Sequence, residues 1–431
     1  MLRVCKFGGS SLCDAAHFLR VREIVLSDAS RRVVVVSAAG RRHSADHKIT
    51  DLLYLCHAHL RYHVCCHELW RRISGRYLEI RDGCGLKTPI EQELAQIYAA
   101  LGVDTTPDAL ASRGEYLSAR LMADLLGYTF VDAADWLQFD RTGQVLLEAS
   151  YAALRSLADG RKIVTPGFYG RTADGALHTL SRGGSDVTGA LAAAALGADV
   201  YENWTDVDGI LAADPAIVSA PRTLPQLSYR ELRALSRVGM QVLHESAVEP
   251  VRRQCIPLQI RNTARPDLAG TLIRCQEGCG TQPDGPVGFA GRRALALLRA
   301  EPSAQTEALS QTQLSQLSAE CSVNVFHASS GCGETALLLC APQGAQTLHT
   351  AVHKLTQALH LTQVKLRENL AVLAVLYRGA NAPFGIAEAV QQAGVPVHLL
   401  CGSAPCMLLA INDSQYEAAL RAAYQAAFPA P

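Results

Sequence analysis

"VCKFGGSSLC", residues 4–13, carries the decision about the fold. An apolar run leads into Lys6, Gly8, Gly9, Ser10 and Ser11, and a helical pattern follows from about Ser11 to Leu26. The lysine precedes the glycines, whereas a P-loop places it after the last glycine, so this is not a Walker A turn. Two readings stand. One is an ordinary glycine corner with a serine cap. The other is a turn whose amides, hydroxyls and fixed cation receive an anion at a helix start. Either way a strand passes through a glycine turn into a helix, the opening step of an open α/β sheet.

The stretches that follow repeat this step. "RRVVVVS", "GYTFVD", "RKIVTPG", "VYENWTD" and "IPLQIRN" read as short strands, with "GEYLSARLMADLLG" and "SDVTGALAAAALGA" as helices between them. Strands alternating with helices predict a mostly parallel sheet covered on both faces. The Gly- and Pro-rich stretch 275–291 marks a domain boundary. Beyond it an internal repeat appears: 294–300 resembles 370–379, 322–328 resembles 395–401, and 336–342 resembles 407–413. Each copy reads strand, helix, strand, strand, helix, a ferredoxin-like α+β order. The expected domains are 1–285, 286–362 and 363–431.

Composition narrows the function. The 431 residues include 40 basic and 40 acidic ones, and 49% are hydrophobic. A neutral globular chain argues against nucleic acid or an anionic membrane as its main partner. The N-terminus enters a strand at once, so no signal peptide is expected, and a cytoplasmic setting follows, with the 14 cysteines reduced. His59, His63 and His67, at i, i+4 and i+8, predict one helical face of imidazoles. The bland reading, a helix of unusual composition, is preferred to a metal site because no second ligand loop closes it.

Four clusters sit where predicted strands end or helices begin, the place where open α/β sheets bind ligands. Lys6 with Gly8, Gly9 and Ser10 is the first. "SRGGSD" is the second: Arg182 suits bidentate recognition of an anion, Gly183 and Gly184 allow close backbone approach, and Ser185 and Asp186 head a helix. Asp206, Asp208 and Asp214 fail the EF-hand pattern and read alone as a turn with caps. Glu115, one residue after Gly114 in the first turn of a helix, reads equally well as a capping carboxylate.

In this order the clusters resemble the aspartokinase family: "KFGGSS" at 6–11, "VVSA" at 35–38, "ITDLL" at 49–53, "GEYLSARL" at 114–121, "SRGGSDVTGALA" at 181–192, "WTDVDGI" at 204–210, "VLHESAVEP" at 242–250 and "IPLQIRNT" at 256–263. The resemblance implies the three-layer αβα amino-acid-kinase fold followed by two ferredoxin-like ACT modules. It implies ATP-dependent phosphorylation of L-aspartate to 4-phospho-L-aspartate, the first step of aspartate-family amino-acid biosynthesis, with Mg²⁺ as the metal. By the same resemblance Lys6 bridges the transferring phosphate and Asp186 orients Lys6. The amides of Gly8, Gly9 and Ser10 hold the phosphate. Arg182 pairs with the substrate carboxylate and Glu115 with its ammonium. Ser37, Thr50, Gly183, Gly184 and Ser185 line the pocket, and Thr205 and Asp206 hold the nucleotide. A homodimer, and lysine or threonine as an effector, are further implications. The sequence departs from the family pattern at Ala216 and Gln241, where basic residues are common, and at Leu211, where an aromatic is; Arg222 stands nearby as a substitute cation. Two alternatives stay open: a kinase of the same fold with another carboxylate acceptor, and a weakly active amino-acid sensor.

Overall fold

The computed structural model describes every residue except 182, 241–242, 244, 276–283, 303–317, 321–322, 332–333, 341–343 and 430–431. The chain forms two compact units. One comprises Met1–Ile210, Thr223–Leu232 and Gln241–Gly280; the other comprises Leu211–Arg222, Arg233–Met240 and Thr281–Pro431.

The strands of the first unit are β1 (Arg3–Phe7), β2 (Arg31–Val36), β3 (Thr129–Phe130), β4 (Gln138–Phe139), β5 (Ile163–Pro166), β6 (Tyr169–Thr172), β7 (Leu177–Thr179), β8 (Val200–Thr205), β9 (Gln226–Ser228), β10 (Leu258–Asn262) and β11 (Thr271–Arg274). The helices up to residue 126 are α1 (Ala15–Leu26), α2 (Ile49–Arg61), α3 (His67–Gly83), α4 (Ile90–Ala99), α5 (Pro107–Ala111) and α6 (Arg113–Leu126). After them come α7 (Leu147–Ala158), α8 (Gly184–Leu196), α9 (Tyr229–Arg237) and α10 (Glu245–Arg253).

Eight strands form one sheet in the order β3-β5-β2-β1-β8-β10-β11-β9. Every pairing in it is parallel except β10 with β11. Alternation along the strands sends the two faces to different helices. Cys5, Phe7, Val34, Val36 and Trp204 share a core with Phe18 of α1, Leu53 of α2, Tyr77 of α3 and Leu117 of α6. Helix α8 covers the other face, in contact with α7 and α10. The result is the expected αβα sandwich. Small residues bring α8 close: a Cβ at Gly189 would stand 2.4 Å from the Tyr201 hydroxyl of β8. The first-unit core also encloses Glu202, which accepts from Arg31 Nε at 2.8 Å and from Trp204 Nε1 at 2.9 Å.

The expected helix from Ser11 begins later. Gly9–Leu12 form a single 3-10 turn, and α1 starts at Ala15 with Asp14 as its N-cap, accepting from the His17 amide at 3.0 Å. The aspartate is the better-placed cap, so the serines remain in the turn. The single histidine face also gives way. Helix α2 stops at Arg61, His63 takes a left-handed backbone (φ 56°), and His67 opens α3, so the three imidazoles lie on three different segments. An all-reduced set of cysteines is corrected as well, since Cys255 and Cys275 form a disulfide. Among the described residues, no helix is long and apolar enough to cross a membrane.

The second unit contains β12 (Gly285–Pro302), β13 (Asn324–Gly331), β14 (Glu334–Cys340), α11 (Gly344–Ala358), β15 (Leu361–Arg378), α12 (Phe384–Gln392), β16 (Val397–Ser403), β17 (Cys406–Asn412) and α13 (Tyr416–Ala427). Its sheet runs β13-β14-β12-β15-β17-β16. The order is a palindrome of the repeat: β12, β13 and β14 correspond to β15, β16 and β17, and the two long strands pair antiparallel at the centre. The helix expected after the first repeat strand falls among residues 303–317, outside the described residues. The boundaries expected at 285/286 and 362/363 both fall inside strands. The reason lies in the packing. Phe289, from the first half of β12, joins a core with Leu373, Val390, Leu409 and Leu420, whereas Leu298, from its second half, joins Leu337, Leu355 and Leu361. Each long strand therefore serves both halves. Ala216 belongs to this unit, and so does Arg222, whose guanidinium lies 3.6 Å from the centroid of the Phe428 ring. Gln241 lies outside the described residues.

Candidate active site

Strands β1, β2, β5, β8 and β10 run parallel, so their carboxyl ends gather along one edge of the sheet. The residues that follow them are Gly8, Ser37, Gly167, Asp206 and Thr263. Four of the five are polar or glycine in regions singled out by sequence.

Lys6 is the fixed cation of this edge. It is buried, and its Nζ lies 2.6 Å from Asp186 Oδ1. Register pairs Lys6 with Asn203 on β8, and Asn203 Nδ2 donates to the same carboxylate oxygen at 2.9 Å. Asp186 comes from the first turn of α8, where the Tyr201 hydroxyl donates to its carbonyl at 3.1 Å. The small-residue face of α8 thus has a chemical consequence, because it lets the helix approach β8 closely enough for Asp186 to reach Lys6. Asn203 Oδ1 is buried without a partner. A buried amide oxygen left so is costly unless a ligand completes it.

The glycine turn is built by close backbone approach. The Gly8 amide donates to the Trp204 carbonyl at 3.1 Å, so of the three amides expected to face an anion, that of Gly8 is engaged elsewhere. Gly9 and Ser10 keep the role open. A Cβ on Gly8 would stand 3.5 Å from Lys6 Nζ, so its bare α-carbon leaves room before the ammonium. Gly9 meets a second glycine missed by sequence reasoning: the Gly40 amide donates to the Gly9 carbonyl at 2.9 Å, and a Cβ on Gly40 would lie 2.5 Å from that oxygen. The small residues "SAAG" directly after a buried strand were the available signal. Arg76 of α3 fastens this pairing. It is buried and donates to the Cys13 carbonyl at 3.3 Å, the Gly40 carbonyl at 2.9 Å and Asp46 Oδ2 at 2.6 Å.

Glu115 is more than a cap. It is buried on α6, its Oε2 has no partner, and burial pushes its carboxyl up to about 8, with the Ala38 and Glu115 backbone amides and Arg113 pulling the other way. Gly114 lets α6 approach the loop after β2, since a Cβ there would stand 2.7 Å from the Ala38 side chain. Ser37 and Thr50 are half-buried on the same loop and at the start of α2.

At the head of α8, Gly183 has a left-handed backbone (φ 62°), which favours glycine, and Gly184 packs where a Cβ would lie 2.5 Å from the Phe168 ring. Ser185 is half-buried against Gly167. Arg182 lies outside the described residues. Thr205 donates to the exposed Asp206 carboxylate at 3.1 Å. Asp208 instead accepts from Asn262 at 2.6 Å, and Asp214 caps the turn at Ala216 from within the second unit. The three aspartates therefore make no common site.

Residues 1–262 match the model of the amino acid kinase family. Over 99% of both chains, the sequence is 31% identical to aspartokinase 3 of Bacillus subtilis. The crystal structure of Clostridium acetobutylicum aspartate kinase superposes with a TM-score of 0.88 at 32% identity, covering 99% of this chain and 100% of that one. Escherichia coli aspartokinase III, solved with aspartate and ADP, gives 0.72 at 25% identity over 99% of each chain. The same enzyme solved with lysine and aspartate gives 0.71, again over 99% of each chain.

Proposed function

Since the chain belongs to the aspartokinases of the amino acid kinase family, we propose that it transfers the γ-phosphoryl group of ATP to the β-carboxylate of L-aspartate. The products are 4-phospho-L-aspartate and ADP, and the reaction opens aspartate-family amino-acid biosynthesis. The observation that carries the mechanism is the pairing of buried Lys6 with half-buried Asp186 behind a glycine turn.

Phosphoryl transfer needs positioning and charge neutralisation more than covalent help. A β-carboxylate oxygen attacks the γ-phosphorus, and the bond to the β,γ-bridging oxygen breaks with its electrons leaving on ADP. The attacking carboxylate is ionised at neutral pH, so no general base is required. Asp186 therefore acts as a positioning residue, holding the Lys6 ammonium toward the charge that accumulates on the transferred group. The Gly9 and Ser10 amides share that charge. Glu115, with its unpartnered oxygen, receives the substrate ammonium, and Arg182 its α-carboxylate. Ser37, Thr50, Gly183, Gly184 and Ser185 line the pocket, while Thr205 and Asp206 bind the nucleotide.

Mg²⁺ fits the donors present. Among the described residues the cluster of three His, Cys, Asp or Glu donors, Cys13, Asp14 and His17, uses none of these site residues. This ion binds through one or two carboxylates and substrate phosphates. The exposed Asp206 is the protein oxygen suited to it, and when bound the ion neutralises phosphate charge. The second unit serves as a pair of interleaved ACT-like modules that form a homodimer and take lysine or threonine as effector. Such an enzyme works in the cytoplasm, where ATP and aspartate are supplied.

Trapping acyl phosphate as the hydroxamate tests the reading. L-aspartate should give product with MgATP, L-glutamate and N-acetyl-L-glutamate should not, and Lys6→Ala should abolish it. Turnover with either alternative acceptor in preference to aspartate would overturn the assignment.

A further inference from the structure

Where the glycine turn hands over to α1, the side chains of Cys13, Asp14 and His17 bring a sulfur, an oxygen and a nitrogen together, with one ligand atom of each within 4.8 Å of the others. Cys13 Sγ is 3.2 Å from His17 Nδ1, His17 Nδ1 is 2.7 Å from Asp14 Oδ1, and Cys13 Sγ is 3.8 Å from Asp14 Oδ2. The local fold explains the convergence. Asp14 is the N-cap and His17 lies three residues on, so both side chains rise over the first turn, and Cys13 enters from the preceding 3-10 turn.

The two oxygens of Asp14 divide their work. Oδ1 accepts from the His17 amide and faces the His17 ring, while Oδ2 has only the weak thiol contact. One oxygen can keep the helix capped while the other serves a ligand. Bonds of about 2.0–2.3 Å from a tetrahedral ion place neighbouring donors roughly 3.3–3.7 Å apart. The sulfur–nitrogen separation already approaches that. We propose that Cys13, Asp14 and His17 bind one borderline divalent cation of the Zn²⁺ or Co²⁺ class, with a water completing the coordination.

The donor set selects the ion. Thiolate and imidazole suit Zn²⁺ and Co²⁺, whereas Mg²⁺ prefers an all-oxygen shell. The site therefore does not compete for the metal of the reaction, and it uses none of the residues assigned to substrate or nucleotide. Cys13 is buried while Asp14 and His17 are about a third exposed, at side-chain values of 38% and 33%, so the ion has an open approach and a dry floor. A second thiol stands alongside: Cys84, just past the end of α3, has its Sγ 3.7 Å from the Ala15 carbonyl. Burial, then the Asp14 carboxylate, push the Cys13 thiol up to about 11, so ion uptake displaces a thiol proton. Arg76 already holds the Cys13 carbonyl, so a bound ion would fasten the second anchor of the same residue beside the phosphate turn.

Co²⁺ titration of the full, reduced, chelator-treated chain tests the site. One equivalent should produce a sulfur-to-cobalt charge-transfer band in the near ultraviolet, with proton release, and Zn²⁺ should displace it. Cys13→Ser should remove the band. His17→Ala, at a part-exposed ring that spares the core, should weaken binding at least about ten-fold, the scale on which even outer ligand partners act. The paired Cys65→Ser and Cys66→Ser control should keep the band. Absence of bound cobalt, a band that survives Cys13→Ser, cobalt binding left unweakened by His17→Ala, or a band lost in the Cys65/Cys66 control would each overturn the proposal.

Discussion

Glu115→Gln separates what the substrate pocket needs from what the fold prefers. In the ligand-free protein the Glu115 carboxyl stands at about 8 instead of its ordinary 4.5, with burial as the main cause. At about 1.4 kcal/mol per pH unit, ionising it inside the fold costs at most about 5 kcal/mol. The sign follows from proton binding. Between 4.5 and about 8 the folded state holds a proton that the unfolded state has lost. The contribution is therefore complete below 4.5 and fades as pH rises through about 8. Glutamine carries no charge, so the variant should lack this slope. Urea unfolding without ligand should find the two proteins similar near pH 4, the variant ahead by about 2 kcal/mol near pH 6 and ahead by most of the roughly 5 kcal/mol near pH 9.

The same carboxylate should make aspartate binding a proton-releasing event. At pH 7 a group titrating near 8 is about 90% protonated. Pairing with the substrate ammonium favours the ionised form, so binding should release about 0.9 proton per aspartate. Calorimetry in two buffers of different ionisation enthalpy reads that number as a slope. Aspartate affinity should rise up to about ten-fold per pH unit below 8 and level off above it. Glu115→Gln should abolish both the proton release and the affinity. Buffer-independent binding enthalpy, or a glutamine variant that binds aspartate normally, would refute the assignment of this carboxylate to the ammonium.

Four further outcomes test the rest of the site. Asp186→Asn should lower kcat about 10²-fold with little change in KM, since it loosens Lys6 and leaves substrate contacts in place; steady-state kinetics decides. Gly40→Ala should displace the glycine turn, because its Cβ would lie 2.5 Å from the Gly9 carbonyl oxygen, and ATP KM should rise while urea unfolding shows only a modest loss. Arg76→Met takes the donor from the Cys13 and Gly40 carbonyls and leaves the half-buried Asp46 to Arg42 alone, and should cost about 2 kcal/mol in urea unfolding, along with kcat. Gly189→Ala should push α8 from β8 and impair kcat, and Tyr201→Phe, which removes the oxygen a Cβ would meet at 2.4 Å, should restore part of it.

The parallel sheet was legible because its strands are continuous β-branched runs and its turns carry glycine. Asp186 stood in a stretch whose charged residues are poorly explained by packing alone, whereas Lys6 and Glu115 read equally well as parts of a glycine corner and a helix cap until the ordered set of motifs singled them out. Asn203 was harder to see. In "VYENWTD" it reads as one polar residue of an alternating strand, and only the register with Lys6 shows that it faces Asp186. Arg76 gave no local signal at all, since its partners Cys13, Gly40 and Asp46 are brought to it by three different segments. The histidine face failed for a related reason. Periodicity was continued through Tyr62–Cys66, where a left-handed residue and a change of helix intervene, and neither carries a glycine or proline to announce the break.

The same distinction explains why the repeat was found while the way its copies pack was not. Similar stretches at 294–300 and 370–379 record that two strands have like surroundings, and the palindromic sheet order confirms it. Sequence similarity carries no information about which core a strand enters. That depends on strand length: β12 and β15 each run from Gly285 to Pro302 and from Leu361 to Arg378, long enough for one half to pack in each core. A cut placed between the repeats would therefore sever β15 and remove Phe289 from the core built by residues 371–423. The two copies should unfold as one cooperative body, because the core of the second copy is incomplete without Phe289 of the first.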